Sequence, residues 1–137
     1  MSDEGLIRRR TLLEAVLRVQ GDLRRALAPI GVTPHQAGVL SYLRQHADAR
    51  LVDAAEAFRV EPPTIVDVVQ DLVRKGWVLN KRSIKDRRTL SLNLSRKGEA
   101  LVRRIAPIVH GVETTLILAS KKRSGTTTMN TAQGRAR

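Results

Sequence analysis

A cluster of basic side chains near the middle of the chain has the charge needed to bind a polyanion. Its members are Lys81, Arg82, Lys85, Arg87 and Arg88. Guanidinium groups are attracted to the negative potential of a DNA backbone or minor groove. The whole chain carries a formal net charge of +12, which favours a nucleic acid or an anionic membrane surface as partner. On charge alone, a solvated turn explains the cluster equally well.

Other kinds of chemistry have little support. The sequence has no Cys, which excludes disulfides, thiolate catalysis and thiolate metal sites. The histidines His35, His46 and His110 are scattered, and no nucleophile motif accompanies them. Asp53 and Glu56 lie one helical turn apart, but a lone acidic pair of this kind is usually a solvated face. We therefore expect no enzyme activity, no metal site and no cofactor.

The element that would position the basic cluster is a helix just before it. Apolar residues recur at i, i+3, i+4 and i+7, as in the buried stripe of a helix, at Ile65, Val68, Val69 and Leu72. Pro62 and Pro63 suit the first turn, where their missing N–H groups are not needed. Gly76 suits a left-handed end. The sequence therefore predicts a helix from Pro62 to Lys75.

After Gly76 the periodicity changes from that of a helix to that of a strand. Side chains alternate in character from Trp77 to Arg82 and again from Leu90 to Ser95. The basic segment from Ser83 to Arg88 would form the loop of a hairpin. A helix of this kind fits a DNA major groove, and a neighbouring basic hairpin tip can reach the adjacent backbone.

Further helices are predicted on both sides of this unit. Between Leu6 and Ile30, one helical face carries Leu12, Val16, Val19, Leu23, Ala26 and Ile30. Such a seam packs either on the rest of the domain, which is the commoner case, or on a partner helix. Thr33-Pro34-His35-Gln36 has the pattern of a capping box, and a third helix covers roughly Val52 to Phe58.

The last predicted helix begins after Ser95, which is a suitable N-cap. One face of it carries Leu101, Ile105, Ile108, Val112 and Leu116. Pro107 lies inside this helix and is expected to kink it. Beyond about Ser120 the chain is basic and has almost nothing to bury, which predicts a disordered or weakly helical tail.

These elements predict a mainly α fold of the α+β winged-helix type. We expect an N-terminal helix at 1–31, a winged helix-turn-helix at 32–95, a C-terminal helix at 96–119 and the tail at 120–137. The N-terminal Arg8-Arg9-Arg10 lacks the apolar stretch of a secretory signal. No apolar run approaches the ~20 residues of a membrane span. A cytoplasmic protein without membrane contact is expected.

Several short motifs, taken in order, resemble the MarR family of bacterial regulators. They are Thr33-Pro34-His35-Gln36, Val60-x-x-x-Thr64-Ile65, Leu72-Val73-x-x-Gly76-Trp77-Val78, Asp86-Arg87-Arg88 and Leu92-x-Leu94-Ser95-x-x-Gly98. The resemblance covers roughly Leu6 to Leu118 and is most specific in the hairpin, or wing. It implies a sequence-specific regulator that binds double-stranded DNA at pseudo-palindromic operators as a homodimer. It also implies a repressor that a small-molecule effector or chemical signal releases from DNA.

The resemblance assigns roles to individual residues. The DNA-binding residues would be Pro62, Pro63, Thr64, Val66, Asp67, Gln70, Arg74, Arg82, Lys85, Arg87 and Arg88, with Arg88 as the wing-tip arginine. Asp86 would pair with a basic neighbour and shape the wing. Dimerisation would use the two terminal helices, through Leu12, Val16, Val19, Leu23, Val112 and Leu116.

Three features depart from the family pattern. Val66 and Asp67 stand where family members often carry a polar or basic pair. Asp67 and Asp71 would face a phosphate-rich groove, which repels a carboxylate unless it accepts from a cytosine amino group. The tail lacks the apolar pattern of the family's final dimerisation helix. The only aromatic side chains, each expected in the core, are Tyr42, Phe58 and Trp77, which disfavours a stacking pocket for phenolic effectors.

The acidic outer face supports one alternative, a winged-helix module for protein interaction or RNA binding that has lost operator recognition. Binding measurements separate the two hypotheses. A specific regulator prefers its site over random duplex by ~10³-fold or more. Purely electrostatic binding shows a steep salt dependence without that preference, and a protein-interaction module shows neither.

Overall fold

The computed structural model describes the backbone of residues 3–82 and 90–135 and the side chains of residues 11–82 and 90–116. Within these ranges the order is α1 (Asp3–Leu27), a 3₁₀ turn (Ala28–Ile30), α2 (Pro34–Gln45), α3 (Leu51–Phe58), α4 (Pro62–Arg74), β1 (Val78–Arg82), β2 (Leu90–Leu94) and α5 (Arg96–Arg135). Five helices and one antiparallel pair of strands confirm the predicted winged-helix fold class.

Two of the helices begin at local capping interactions. At α2, Gln36 N–H donates to Thr33 Oγ1 over 3.2 Å and Thr33 N–H donates to Gln36 Oε1 over 3.0 Å, so the predicted capping box is present. At α3, the backbone N–H of Arg50 donates to Asp53 Oδ2 over 3.0 Å, and the two side chains form an ion pair. Hydrogen bonds from Arg50 hold the pKa of Asp53 below its usual value. Asp53 is thus the third residue of a capping box at the surface, with Arg50 as the N-cap.

The core lies between the five helices and the hairpin and includes side chains from every helix and both strands. Its largest fully buried side chains are Leu27, Leu40, Ile65, Leu72, Ile105, Val39, Val78 and Ser91. Tyr42 and Trp77 pack against this cluster and are partly buried. Phe58 was expected in the core but is 39% exposed, because it ends the short helix α3 and meets Tyr42 only edge-on, with ring centroids 5.8 Å apart.

A tight turn joins α3 to α4. Arg59 adopts a left-handed conformation with φ of 53°, and Val60 N–H donates to the carbonyl of Ala55 over 3.1 Å. Glu61 is extended, as expected for a residue before proline. The helix-turn-helix is therefore formed by α3 and α4, and α4 begins at Pro62 as predicted.

The hairpin pairs β1 with β2 from Val78 opposite Leu94 to Arg82 opposite Leu90. A contact that the sequence did not predict extends it: Leu92 N–H donates to the carbonyl of Ala49 over 2.7 Å. This bridge ties the hairpin to the segment between α2 and α3. The predicted loop Ser83–Arg88 lies outside the described residues.

The junction between the hairpin and α5 is closely packed around Ser95. Ser95 Oγ donates to the carbonyl of Gly76 and accepts from Gly98 N–H over 3.1 Å. Ser95 N–H donates to the carbonyl of Trp77 over 3.0 Å. These bonds confirm Ser95 as the N-cap and explain why a small residue occupies position 98, where the first turn of α5 crosses the Trp77 carbonyl.

α5 is longer than the sequence suggested. It continues to Arg135 and contains Pro107, so the segment expected to be disordered or weakly helical has helical backbone up to that residue. Among the described residues, no helix combines the length and apolar character needed to cross a lipid bilayer.

Candidate nucleic-acid interface

The helix α4 has two distinct faces. Its inner face buries Ile65, Val69 and Leu72 in the core. Its outer side carries the side chains predicted to contact DNA, namely Pro62, Pro63, Thr64, Asp67, Gln70 and Arg74, and all of these are exposed. Val66, the remaining predicted contact on this helix, is partly buried. The apolar stripe thus fixes the helix to the domain and leaves a continuous polar surface toward solvent.

The hairpin lies directly after this helix along the chain. Val78 is buried at the root of β1, whereas the four residues that follow, ending in Lys81 and Arg82, are exposed. Ser91 is fully buried, and its Oγ donates to the carbonyl of Lys81 over 3.2 Å. The root of the hairpin is therefore anchored while its basic side is accessible. The predicted contacts Lys85, Arg87 and Arg88, and the predicted wing-shaping residue Asp86, lie outside the described residues.

Asp71 makes side-chain contacts that the sequence did not predict. One of its oxygens accepts a hydrogen bond from Gln36 Nε2 of α2. The carboxylate also pairs with Arg74 over 3.4 Å and with Lys75 over 3.2 Å. Its charge is balanced by the two cations, and its side chain remains 31% exposed, so a position facing a DNA groove stays a prediction. Asp67 stays exposed.

Sequence reasoning missed the contact between Gln36 and Asp71. The two residues are 35 positions apart, and no periodicity or motif relates them. The only available signal was that Gln36 belongs to a capping box, which uses its side-chain oxygen and leaves its amide donors unassigned. Lys75 was also missed: its Nζ lies 5.1 Å from the centre of the Trp77 ring, at the junction of α4 and β1.

The residues predicted for dimerisation fall into two groups. Leu12, Val16 and Leu116 are 64%, 47% and 44% exposed, so packing on the chain's own core does not account for them. Val19, Leu23 and Val112 are partly buried. The exposed apolar surface of α1 also includes two residues not predicted, Leu13 and Leu17, at 63% and 65%.

A small cleft lies between α1, α2 and the helix-turn-helix. Its volume is about 230 Å³. Its lining is mainly apolar, with polar groups at its edges, and is formed by Gln20, Pro34, His35, Gly38, Val39, Phe58, Val60 and Ile65. Because Val60 and Ile65 belong to the turn before α4 and to α4 itself, this cleft lies against the back of the helix whose outer face is exposed.

Known proteins share this arrangement of helices and hairpin. The structure of apo MarR from E. coli superimposes with a TM-score of 0.73 at 21% identity and covers 93% of this chain and 94% of that protein. Residues 30–89, which include the whole helix-turn-helix and the first strand of the hairpin, match the profile described as the MarR family. The chain is thus similar to the MarR family of winged-helix transcriptional regulators in both sequence and fold.

Two other similar proteins have described partners or roles. The HTH-type transcriptional repressor MdtR of Bacillus subtilis (strain 168) is 28% identical over 82 residues, which is 60% of this chain and 53% of MdtR. The match therefore spans about half the length of that relative. The transcriptional repressor CouR, solved with a 23-mer DNA duplex, is 29% identical, with a TM-score of 0.72, and covers 93% of this chain and 90% of CouR.

Proposed function

We propose that this protein is a homodimeric repressor of the MarR family that binds a pseudo-palindromic operator in double-stranded DNA. The observation that carries the proposal is the exposed outer face of α4 beside an anchored, basic hairpin. A major groove about 12 Å wide admits a helix of this size. The description of MdtR and CouR as repressors, and the DNA duplex bound to CouR, support the same function.

Different groups on the outer face of α4 and on the hairpin would make different contacts with DNA. The N-terminal turn of α4, at Pro62, Pro63 and Thr64, would approach a phosphate with the positive end of the helix dipole. Gln70 has the amide geometry for adenine, and Asp67 can accept from the amino group of cytosine. The hairpin cations would hold the neighbouring backbone, which adds affinity without reading sequence.

The exposed apolar surface of α1 and α5 supports the dimer. Leu12, Leu13, Val16 and Leu17 lie on consecutive turns of α1, and burial of apolar area stabilises by about 25 cal/mol per Å². We expect Leu12→Asp to shift the solution mass from dimer to monomer, whereas Arg18→Asp, an exposed change on the same helix, should leave it unchanged. Equal effects of the two substitutions in sedimentation experiments would contradict a dimer built on this surface.

The cleft behind α4 supports control by a small molecule. CouR of Rhodococcus jostii RHA1 has been solved with p-coumaroyl-CoA, so a relative of this fold binds an organic ligand. In this protein, a small apolar molecule with one polar group would contact Gln20 or His35 and press on Ile65. Displacement of α4 would then weaken DNA binding. Gly38→Leu would fill the cleft beside Phe58 and should abolish any release of DNA that such a molecule causes.

Selection of duplexes from a random pool tests the DNA-binding proposal. The enriched duplex and a random duplex are then titrated with the protein over a range of salt concentrations. We expect a preference of ~10³-fold or more for the enriched duplex and an inverted repeat with half-sites about one helical turn apart. Salt-dependent binding without preference would refute operator recognition, and no binding would favour the protein-interaction alternative.

A further inference from the structure

The side chain of Gln36 connects two helices that the sequence does not relate. It is only 6% exposed. Its oxygen accepts from Thr33 N–H over 3.0 Å, within the capping box of α2, and its Nε2 donates to Asp71 Oδ2 on α4. Both functional ends of the amide are thus engaged, which fixes its orientation and makes the contact directional.

The partner of Gln36 is itself held on its other side. Asp71 pairs with Arg74, in the last turn of α4, and with Lys75, the residue that follows the helix. The Asp71 side chain is 31% exposed, whereas that of Arg74 is 74% exposed, so the two surface pairs alone give little rigidity. The hydrogen bond from the buried Gln36 is therefore the contact that ties this carboxylate to another helix.

We propose that Gln36 and Asp71 are a positioning pair that sets the rotation of α4 for reading DNA. Contacts between apolar residues such as Ile65 and Leu72 are not directional, so they do not prevent small rotations of a helix about its axis. Asp71 follows Gln70 directly and lies one turn beyond Asp67. A rotation of α4 about its axis therefore turns the side chains of Gln70 and Asp67 by the same angle as that of Asp71. Recognition geometry must be held within roughly 10–20°. The proposal rests on the DNA-binding function proposed above.

Three single substitutions and one double variant separate positioning from charge. Gln36→Glu keeps the oxygen that accepts from Thr33 but removes the donor to Asp71 and adds a repelling charge. The double variant that combines Gln36→Glu with Asp71→Asn has the net charge of the wild type. It restores the hydrogen bond in the reverse direction, because the side chain at position 71 now donates and the one at position 36 accepts. Asp71→Asn and Asp71→Ala are matched in charge, but only Asn keeps the acceptor for Gln36.

The measured quantity is the ratio of affinities for the enriched duplex and a random duplex, with thermal unfolding as the folding control. Loss of a hydrogen bond to a charged group predicts that Gln36→Glu and Asp71→Ala each lower this ratio about tenfold or more. Asp71→Asn and the double variant should retain the wild-type ratio within about threefold. Random-duplex affinity should follow net charge, rising for both single substitutions at Asp71.

Several outcomes would overturn the proposal. One is an equal ratio for Asp71→Ala and Asp71→Asn, and another is a double variant as impaired as Gln36→Glu. If Gln36→Glu does not fold, the two Asp71 substitutions still decide the question. A wild-type protein with no sequence preference refutes the proposed function and this inference together, whereas a preference that survives Asp71→Ala refutes the inference alone.

Discussion

Replacement of Gly98 by Ala should loosen the junction of the hairpin and α5. A Cβ at this position would lie well inside the contact distance of the Trp77 carbonyl oxygen, 3.0 Å from the Trp77 carbonyl carbon and 3.2 Å from Leu94 Cδ2. The first two of these atoms are backbone and cannot rotate away. Either the first turn of α5 or the segment at Trp77 that joins α4 to β1 must move.

The size of the effect follows from what this movement breaks. Overpacking of a closely packed site costs about 1–3 kcal/mol. A shift also weakens the bonds from Ser95 to the carbonyls of Gly76 and Trp77, each contributing about 0.5–1.5 kcal/mol. The better helix propensity of Ala offsets about 0.5–1 kcal/mol. We expect a net loss of about 3 kcal/mol in the free energy of unfolding, or about 10 °C in the midpoint of thermal unfolding.

The fluorescence of Trp77, the only tryptophan, reports on this junction during denaturant unfolding at fixed protein concentration. Gly111→Ala is the matched control, because it lies on the same helix and nothing within 4 Å meets its added Cβ. That control should be stabilised by about 0.5–1 kcal/mol. If Gly98→Ala were stabilised by the same amount, the close approach to Trp77 would not limit residue size here.

Four more substitutions test separate parts of the structure. Arg88→Ala should weaken binding to any duplex and lower the salt slope by about one ion in titrations, and unchanged affinity would refute its wing-tip role. Asp67→Ala should raise affinity for random duplex, whereas a loss confined to the enriched duplex would show that Asp67 reads a base. Arg59→Gly should raise the free energy of unfolding by about 0.5–1 kcal/mol, because a left-handed φ of 53° strains any residue with a Cβ; a loss of stability would mean that the arginine makes a contact worth more than this strain. Asp53→Asn should lower thermal stability at neutral pH but not in acid. Hydrogen bonds from Arg50 lower the pKa of Asp53 in the folded state. The contribution of the Asp53 carboxylate to the free energy of unfolding is therefore present above the unfolded pKa of about 3.9 and is lost as pH falls through the folded pKa. A pH-independent difference would refute this last assignment.

Features that depend on near neighbours were predictable from the sequence. The capping box at Thr33, the start of α4 at Pro62, the N-cap at Ser95 and the strand alternation on either side of the basic loop each involve residues a few positions apart. Hydrogen bonds between such residues depend on backbone geometry that one helical turn already defines. The ordered set of these local signals was enough to indicate a resemblance to the MarR family.

The exposure and the bonding partners of the acidic and aromatic side chains were not predictable in this way. Asp67 and Asp71 lie one turn apart and differ little in local sequence, yet one is exposed and the other is bonded to Gln36. Phe58 was expected in the core but lies at the surface, because the packing of α3 on α4 determines which face of that helix is covered.

The basic cluster from Lys81 to Arg88 and the outer face of α4 were thus recognisable from the sequence, since charge and periodicity are properties of the chain itself. Only the tertiary structure decided which carboxylate faces outward, why position 98 excludes a side chain, and which leucines of α1 remain uncovered. The physical reason is that each of these depends on a distance between segments far apart in sequence, and such distances exist only when the helices have packed.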